Sequence, residues 1–296
     1  MAAETQDTLP VGVGPFLQPG ASLSPETHLE AGEGATFKLR VGPNYKKNGK
    51  KAPSASQMYR MVGIDIFRSE KGVSPIAPLF DLSTLGSAAT KEFTHPSVPR
   101  IFIINAVLPD FSPSMLGKKD GGPWLHIVIF FEITPESAEM IHHMDSPEQC
   151  DPAHRLFAQW CKEAEEDVKM RSRLKFFVHV HNYEAIGLPS MLAGYNAKPL
   201  LITNSGTFFR GPGNSHIEMT INVGVFGFIA RKGLHSLKHR LPEMDCSFGL
   251  CIEARQDEEM PERCALLGRA RKLEGFNVPF FLSDEAIAFL QKTAHA

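Results

Sequence analysis

Two long apolar runs constrain this chain more than any other feature of its sequence. Residues 101–108 (IFIINAVL) and residues 125–133 (LHIVIFFEI) are almost uninterrupted stretches of aliphatic and aromatic side chains. Runs of this length and composition are typical of β-strands that are buried on both faces. Both runs therefore belong to the expected core.

Shorter strands and several helices are predicted around these two runs. Strands are predicted at 37–41, 58–67, 174–181, 199–203, 206–210, 216–223, 248–254 and 269–273. Helices are predicted at 134–142, from Asp151, at 226–241 and from Ser283, where capping residues or apolar periodicity mark them. The helices do not alternate with the strands, which indicates an α+β fold. We expect a curved, mostly antiparallel sheet wrapped around or covered by helices, START-like or barrel-like, with room for an apolar cavity.

The interior of this sheet is expected to be dry and rich in phenylalanine. The chain has 21 Phe against 4 Tyr and 2 Trp, and Phe has no polar group that needs a partner. The helix 226–241 is the one that we expect the sheet to wrap. The side chains predicted to line the core or a cavity are Phe102, Ile104, Ile127, Ile129, Phe131, Phe176, Val178, Ile217, Met219 and Ile221.

The chain is predicted to have one domain and an irregular arm. Proline and glycine interrupt every possible period in residues 1–35, which are expected to form the arm. Residues 36–296 are expected to form a single α+β domain. Within it, residues 71–99 are rich in Pro, Ser, Thr and Gly and predict a long irregular connection.

Composition excludes several classes of protein. The formal net charge of −2 argues against binding nucleic acid by bulk electrostatic attraction. Five scattered cysteines without a CxxC pair are typical of reduced thiols in a reducing compartment. No window approaches 18 uninterrupted apolar residues, and the first residues lack the pattern of a secretory signal. We expect a cytoplasmic protein, either free or peripheral on membranes.

No pattern in the sequence specifies catalysis or a cofactor. The chain has no GxSxG motif, P-loop, kinase motif set or dinucleotide-binding context, so we expect a protein that is not an enzyme and needs no cofactor. His179 and His181 share one strand face, but no third metal ligand stands at a suitable spacing. We therefore predict no metal site.

Two basic features remain as candidate binding elements. Four lysines lie within the six positions that follow Tyr45 and can contact anionic headgroups or form only a solvated turn. The second feature is residues 227–241, a basic amphipathic helix that can lie on a membrane, bind a partner or simply pack across the sheet. The candidates for headgroup contact are Lys46, Lys47, Lys50, Lys51, Tyr45 and Arg210.

Several segments, read in order, resemble the C-terminal domain of the plant protein Enhanced Disease Resistance 2. The matching segments are 37–53 (FKLRVGPNYKKNGKKAP), 61–67 (MVGIDIF), 102–109 (FIINAVLP), 126–133 (HIVIFFEI), 196–202 (NAKPLLI), 208–224 (FFRGPGNSHIEMTINVG) and 260–273 (MPERCALLGRARKL). One departure lies in the strand after Arg210, where Glu218 is kept but Thr220 and Asn222 replace acidic residues. The resemblance implies work related to lipids or membranes and supplies no catalytic residue.

Two classes of function are compatible with these features. The first is a non-catalytic lipid-binding or membrane-associated module, with the Phe-rich strands around a cavity and the lysines on an anionic membrane. The second is a structural subunit of a larger protein assembly, with residues 1–35 in contact with protein neighbours.

Overall fold

The computed structural model describes residues 29–30, 32–113, 122–146, 148–188, 190–271 and 280–293. Thirteen strands are present in these ranges. The strands are β1 Leu29–Glu30, β2 Lys38–Arg40, β3 Lys51–Pro53, β4 Tyr59–Ser69, β5 Ile101–Pro109, β6 Trp124–Ile133, β7 Leu174–Val180, β8 Leu200–Leu201, β9 Gly206–Arg210, β10 His216–Asn222, β11 Asp245–Ile252, β12 Leu266–Arg271 and β13 Phe280–Phe281. The two apolar runs form the adjacent antiparallel strands β5 and β6 at the centre of the sheet.

Seven α-helices lie in the same ranges, and most of them are short. They are α1 Tyr45–Asn48, α2 Pro135–His142, α3 Pro152–Glu163, α4 Val168–Arg171, α5 Ser190–Ala193, α6 Phe228–Leu237 and α7 Asp284–Thr293. None of the helices in the described ranges has the length and hydropathy needed to span a bilayer.

Eleven strands form one curled sheet in the order β8-β7-β11-β12-β4-β6-β5-β10-β9, with β1 beside β12 and β13 beside β4. Most neighbours are antiparallel, and the parallel pairs are β10 with β5, β12 with β4 and β13 with β4. The two end strands of this order, β8 and β9, are joined by residues 202–205 alone. The predicted α+β fold with a curved, mostly antiparallel sheet is confirmed.

The helix that fills the inner face of the curled sheet is α3. Asp151 caps its first turn by accepting from His154 N, and Pro152 occupies the first helical position, where no N–H is needed. Phe157 and Trp160 are fully buried in one cluster with side chains from most strands of the sheet. Ring contacts of 5.5–6.3 Å join these two side chains to each other and to the sheet residues Tyr59, Phe102 and Phe208.

The prediction that the sheet wraps residues 226–241 is therefore wrong. Helix α6 covers only Phe228–Leu237 and continues as the 3-10 turn Lys238–Glu243. Among the described residues of α6, Gly233 alone is buried. An apolar stripe in the sequence predicts which face of a helix is buried, but it does not predict how much side-chain volume that face supplies. The large interior space takes the bulky aromatic residues of α3, whereas the most buried residue of α6 has no side chain.

The outer face of the sheet is also covered, as the two apolar runs predicted. Residues 73–90 and α7 pack on β4, β5 and β6 through a second apolar cluster that includes Phe80, Phe130 and Leu290. The hairpin β2–β3 covers β7, β11 and β12 through a third cluster that includes Phe37 and Phe177. The irregular connection 71–99 is thus a structural layer, built from three 3-10 turns.

The described end of the predicted arm lies on this domain. Leu29 and Glu30 pair with Ala270 and Arg269 as β1, and the Glu30 carboxylate forms an ion pair with Arg271. Residues 1–28 and residue 31 of the arm lie outside the described residues.

Candidate functional site

The four lysines of the sequence prediction are presented by an ordered turn, which we name the lysine turn (residues 44–51). Helix α1 forms its centre, between Asn44 and Gly49, both of which have left-handed backbone conformations (φ 64° and 61°). The Gly49 N–H donates to Tyr45 O at 2.8 Å, and the Lys50 N–H donates to Asn48 Oδ1 at 2.8 Å. Asparagine and glycine adopt this backbone region at low cost, so the local sequence itself specifies the turn.

The base of the lysine turn is fixed to the domain by charged groups. The Asn44 N–H lies 2.9 and 3.0 Å from the two carboxylate oxygens of Asp257. The Arg40 guanidinium stands 4.9 Å from the centre of the Tyr45 ring and also pairs with Glu253 at 3.1 Å. Tyr45 is therefore half-buried against a cation rather than free at the surface.

A buried ion pair lies next to Arg40 at the base of the lysine turn. Lys175 Nζ lies 2.6 Å from Glu262 Oε1, and both side chains are almost completely buried. The Glu262 carboxylate also accepts from Ala254 N at 3.0 Å and from Arg40 N at 3.3 Å. Burial raises the pKa of Glu253, but the hydrogen bond from Arg255 and the nearby cations lower it more, so it stays ionised beside Arg40. Glu262 lies in one of the segments that carry the family resemblance, but nothing in the sequence indicates that it supports the lysine turn.

The ammonium groups of the lysine turn are left to solvent. Lys46, Lys47, Lys50 and Lys51 are all exposed, and none of them forms an ion pair with another described residue. Four cations on one short, ordered turn produce a local positive potential although the whole chain is slightly acidic. The structure therefore brings these four predicted residues together, with Tyr45 beneath them.

Arg210 is not part of this group. Its guanidinium donates to Ser97 O at 3.1 Å, to Cys161 O and to Asn214 Oδ1, and it pairs with Glu165 at 3.2 Å. These contacts tie the β9–β10 hairpin to α3 and to the segment before β5. The headgroup role predicted for Arg210 has no support in this geometry, because its N–H groups already serve internal acceptors.

The side chains predicted to line a core or cavity all belong to the cluster around α3. Seven of them are buried there and three are partly buried; they are Phe102, Ile104, Ile129, Phe131, Ile217, Met219 and Ile221, and then Ile127, Phe176 and Val178. Aromatic rings of α3 occupy the space between them. A described cavity lies elsewhere, under α6, with a volume of about 10 Å³, which holds roughly one water molecule.

A Ser–His–Asp chain lies in the contact between α2 and α3. His154 Nε2 lies 2.9 Å from Ser137 Oγ, and His154 Nδ1 lies 2.8 Å from Asp151 Oδ1. Burial raises the pKa of Asp151, but hydrogen bonds from His154 and the charge of Arg263 lower it well below its usual range. Ser137 and His154 are completely buried, so substrate cannot reach the hydroxyl. These contacts join the two helices, and no geometry for nucleophilic catalysis follows from them.

A second polar chain crosses the outer face of the sheet. Glu218 Oε2 accepts from the N–H groups of Ile76 and Ala77 at 2.8 and 2.9 Å, and Thr220 Oγ1 donates to Glu218 Oε1 at 2.8 Å. Burial raises the pKa of Glu218 despite these hydrogen bonds. Glu218 therefore anchors the irregular segment 71–99 and is not part of an acidic surface. A carboxylate inside an apolar strand was the sequence signal for such an anchor.

His179 and His181 share a strand face as predicted, with ring centres 4.3 Å apart. Their surroundings offer Ser247, whose Oγ lies 2.8 Å from His181 Nε2, and Asp245, which pairs with Arg269. Among the described residues no group of three His, Cys, Asp or Glu side chains could hold a metal ion.

Comparison with known proteins identifies a family. Residues 30–274 match the family described as "Protein ENHANCED DISEASE RESISTANCE 2, C-terminal". No curated protein and no solved structure matches the chain significantly. The matched range begins within β1, includes the lysine turn and Glu262, and ends after β12.

Proposed function

The chain belongs to the family of the Enhanced Disease Resistance 2 C-terminal domain, and from its structure we propose that it is a non-catalytic, lipid-binding module that associates peripherally with anionic membranes through the lysine turn. The supporting observation is the presentation of four exposed ammonium groups on one ordered turn. Each basic residue near an anionic surface contributes about 1 kcal/mol to binding. Four such residues together contribute about 4 kcal/mol, which corresponds to weak and reversible attachment.

The rigidity of the lysine turn favours binding over a merely solvated loop. Its backbone hydrogen bonds, the Asp257 anchor and the Arg40–Tyr45 contact hold the turn in place before any ligand arrives. A preorganised turn loses less conformational entropy on binding than a flexible loop does. The contact that we propose is with headgroup phosphates and carboxylates, without selection of one lipid.

Binding at the surface has more support than enclosure of a lipid inside the sheet. A cavity for a ligand of drug size usually has several hundred Å³. In this fold, Phe157 and Trp160 of α3 fill the inner face of the sheet. The proposed lipid site is therefore outside the curled sheet. The alternative role as a structural subunit depends on residues 1–35, and the described end of that segment pairs with the domain's own β12.

The proposed location is the cytoplasm, at the surface of membranes whose anionic lipids face that compartment. All five cysteines are buried free thiols, which fits a reducing environment. The anionic lipids of the cytoplasmic leaflet supply the negative potential that the lysine turn needs.

Replacement of Lys46, Lys47, Lys50 and Lys51 by Gln tests the proposal. We expect the affinity for vesicles of phosphatidylcholine and phosphatidylserine to fall by up to about a thousandfold, since four contributions of about 1 kcal/mol are removed. Vesicle co-sedimentation measures this, and wild-type binding should weaken as salt rises because the contacts are screened.

A matched control removes the same charge from other surfaces. Lys91, Lys162, Lys169 and Lys198 are exposed and form no ion pair with a described residue. Their replacement by Gln should reduce binding far less than the changes in the lysine turn. Equal losses in the two variants, or no binding by the wild type at low salt, would contradict the proposal.

A further inference from the structure

Helix α6 and the residues before it form a second surface that the proposed function does not use. Residues 219–242 contain Arg231, Lys232, Lys238 and Arg240 and no Asp or Glu. Val225 and Ile229 are 50% and 61% exposed, among the most exposed large aliphatic side chains described. Arg240 pairs with Glu243 at 2.9 Å and Arg231 lines a cavity, so Lys232 is the exposed cation of this segment that forms no ion pair with a described residue. It lies beside two aliphatic side chains in water.

The two faces of α6 have different environments. Arg231, Leu234 and His235 face the sheet, where they line the cavity of about 10 Å³ together with residues of β5 and β6. Ile229, Lys232 and Ser236 are exposed and follow each other at intervals of three and four residues, so they lie on the opposite face. We name the exposed surface formed by Val225, Ile229 and Lys232 the α6 face.

The register of the sheet places the α6 face far from the lysine turn. Helix α6 connects the end of β10 at Asn222, which pairs with Val107, to the start of β11 at Asp245. The lysine turn is attached beside Glu253 and Asp257, which follow the last residue of β11. The eight residues of β11 span about 25 Å. The lysine turn and the α6 face are thus at opposite ends of the strands.

We propose that the α6 face docks on an anionic bilayer and that, because the lysine turn lies at the other end of the sheet, the protein bridges two anionic membrane surfaces. This inference rests on the proposed function of the lysine turn. The α6 face has the chemistry of an interfacial helix, since aliphatic side chains can enter the headgroup region while a neighbouring cation meets anionic lipid. Helix α6 itself has no Asp or Glu, and Lys232 on its exposed face forms no ion pair with a described residue, which favours an anionic bilayer over a surface of mixed charge.

Bridging follows from geometry rather than from tight binding at either end. A flat bilayer that contacts the lysine turn lies about 25 Å from the α6 face, beyond the reach of screened electrostatic attraction. A second bilayer can approach that face freely. Each contact is weak alone, but many molecules between two vesicles act together, so clustering should be cooperative.

The experiment uses vesicles of phosphatidylcholine with phosphatidylserine and measures binding by co-sedimentation and clustering by light scattering. The α6 variant carries Val225→Ser, Ile229→Ser and Lys232→Gln, all at exposed positions, and its fold is checked by circular dichroism. We expect the wild type to cluster vesicles, and the α6 variant to bind single vesicles through the lysine turn while clustering falls about tenfold or more. The lysine-turn variant should lose both clustering and most binding.

The outcomes separate this inference from the proposed function. If the wild type fails to bind vesicles, the role of the lysine turn is wrong, and bridging fails with it. If the wild type binds through the lysine turn but does not cluster vesicles, or if the α6 variant clusters them equally well, only the bridging inference is overturned. Clustering of vesicles made of phosphatidylcholine alone would also overturn it, since the α6 face then needs no anionic lipid.

Discussion

At the scale of single residues, the neighbours of the buried His126 determine which of its ring nitrogens carries the proton. Asn105 Nδ2 donates to Val73 O at 3.1 Å, so Asn105 Oδ1 faces His126 Nδ1 at 3.0 Å. That oxygen can only accept, so Nδ1 carries the proton. Nε2 lies 2.9 Å from Ser69 Oγ, whose hydroxyl also donates to Lys71 O at 2.5 Å. Burial lowers the pKa of His126 to about 3. We expect nuclear magnetic resonance to show a neutral imidazole protonated on Nδ1 from pH 7 to pH 5.

The same residue makes the free energy of unfolding depend on pH. The unfolded chain binds a proton at this imidazole below about pH 6.5 and the folded chain does not, so stability is lost as pH falls. The loss from this residue is about 3 kcal/mol at pH 4. Glu218, whose pKa burial raises, acts in the opposite direction. The test therefore compares the free energies of unfolding of the wild type and His126→Gln, measured with urea at several pH values. If both free energies change equally with pH, the prediction is wrong.

At the scale of elements, α3 and α6 have similar amphipathic sequences and opposite roles. Leu156 of α3 is 4% exposed within the main cluster, whereas Ile229 of α6 is 61% exposed. We expect Leu156→Ala to lower the free energy of unfolding by about 2–5 kcal/mol, because it leaves a cavity in a packed core. Ile229→Ala should change it by less than about 0.5 kcal/mol. Urea unfolding followed by circular dichroism gives both values, and a large loss at Ile229 would contradict the structural assignment of α6.

At the scale of the whole molecule, the filled inner face of the sheet predicts a protein that carries no lipid inside. Phe157 and Trp160 occupy the space that a lipid chain would need. Native mass spectrometry after gentle, detergent-free purification should therefore give the 32.7 kDa chain without a bound lipid. A reproducible added mass that organic extraction identifies as lipid would show that the interior opens. That result would move the proposed lipid site from the surface to the interior of the curled sheet.

The candidate site was predictable only where it is local in sequence. Tyr45 and the four lysines lie within seven positions, so their proximity needs no tertiary information. The supports of the turn come from distant parts of the chain: Arg40 precedes it, whereas Glu253, Asp257 and Glu262 are more than two hundred residues further on. The place of Arg210 beside a glycine-rich turn predicts headgroup contact, but the acceptors of its guanidinium come from α3 and from the segment before β5.

The sequence by itself determined the main strands and helices of this protein, and the tertiary structure decided what each of them covers. Apolar runs such as 101–108 and 125–133 specify strands buried on both faces, because side-chain hydrophobicity is a local property. Which helix fills the curled sheet depends on the volume that its side chains supply, and only the assembled strands define that volume. The irregular segment 71–99 was likewise undecided, because its position depends on Glu218 and other buried groups from remote strands that satisfy its backbone.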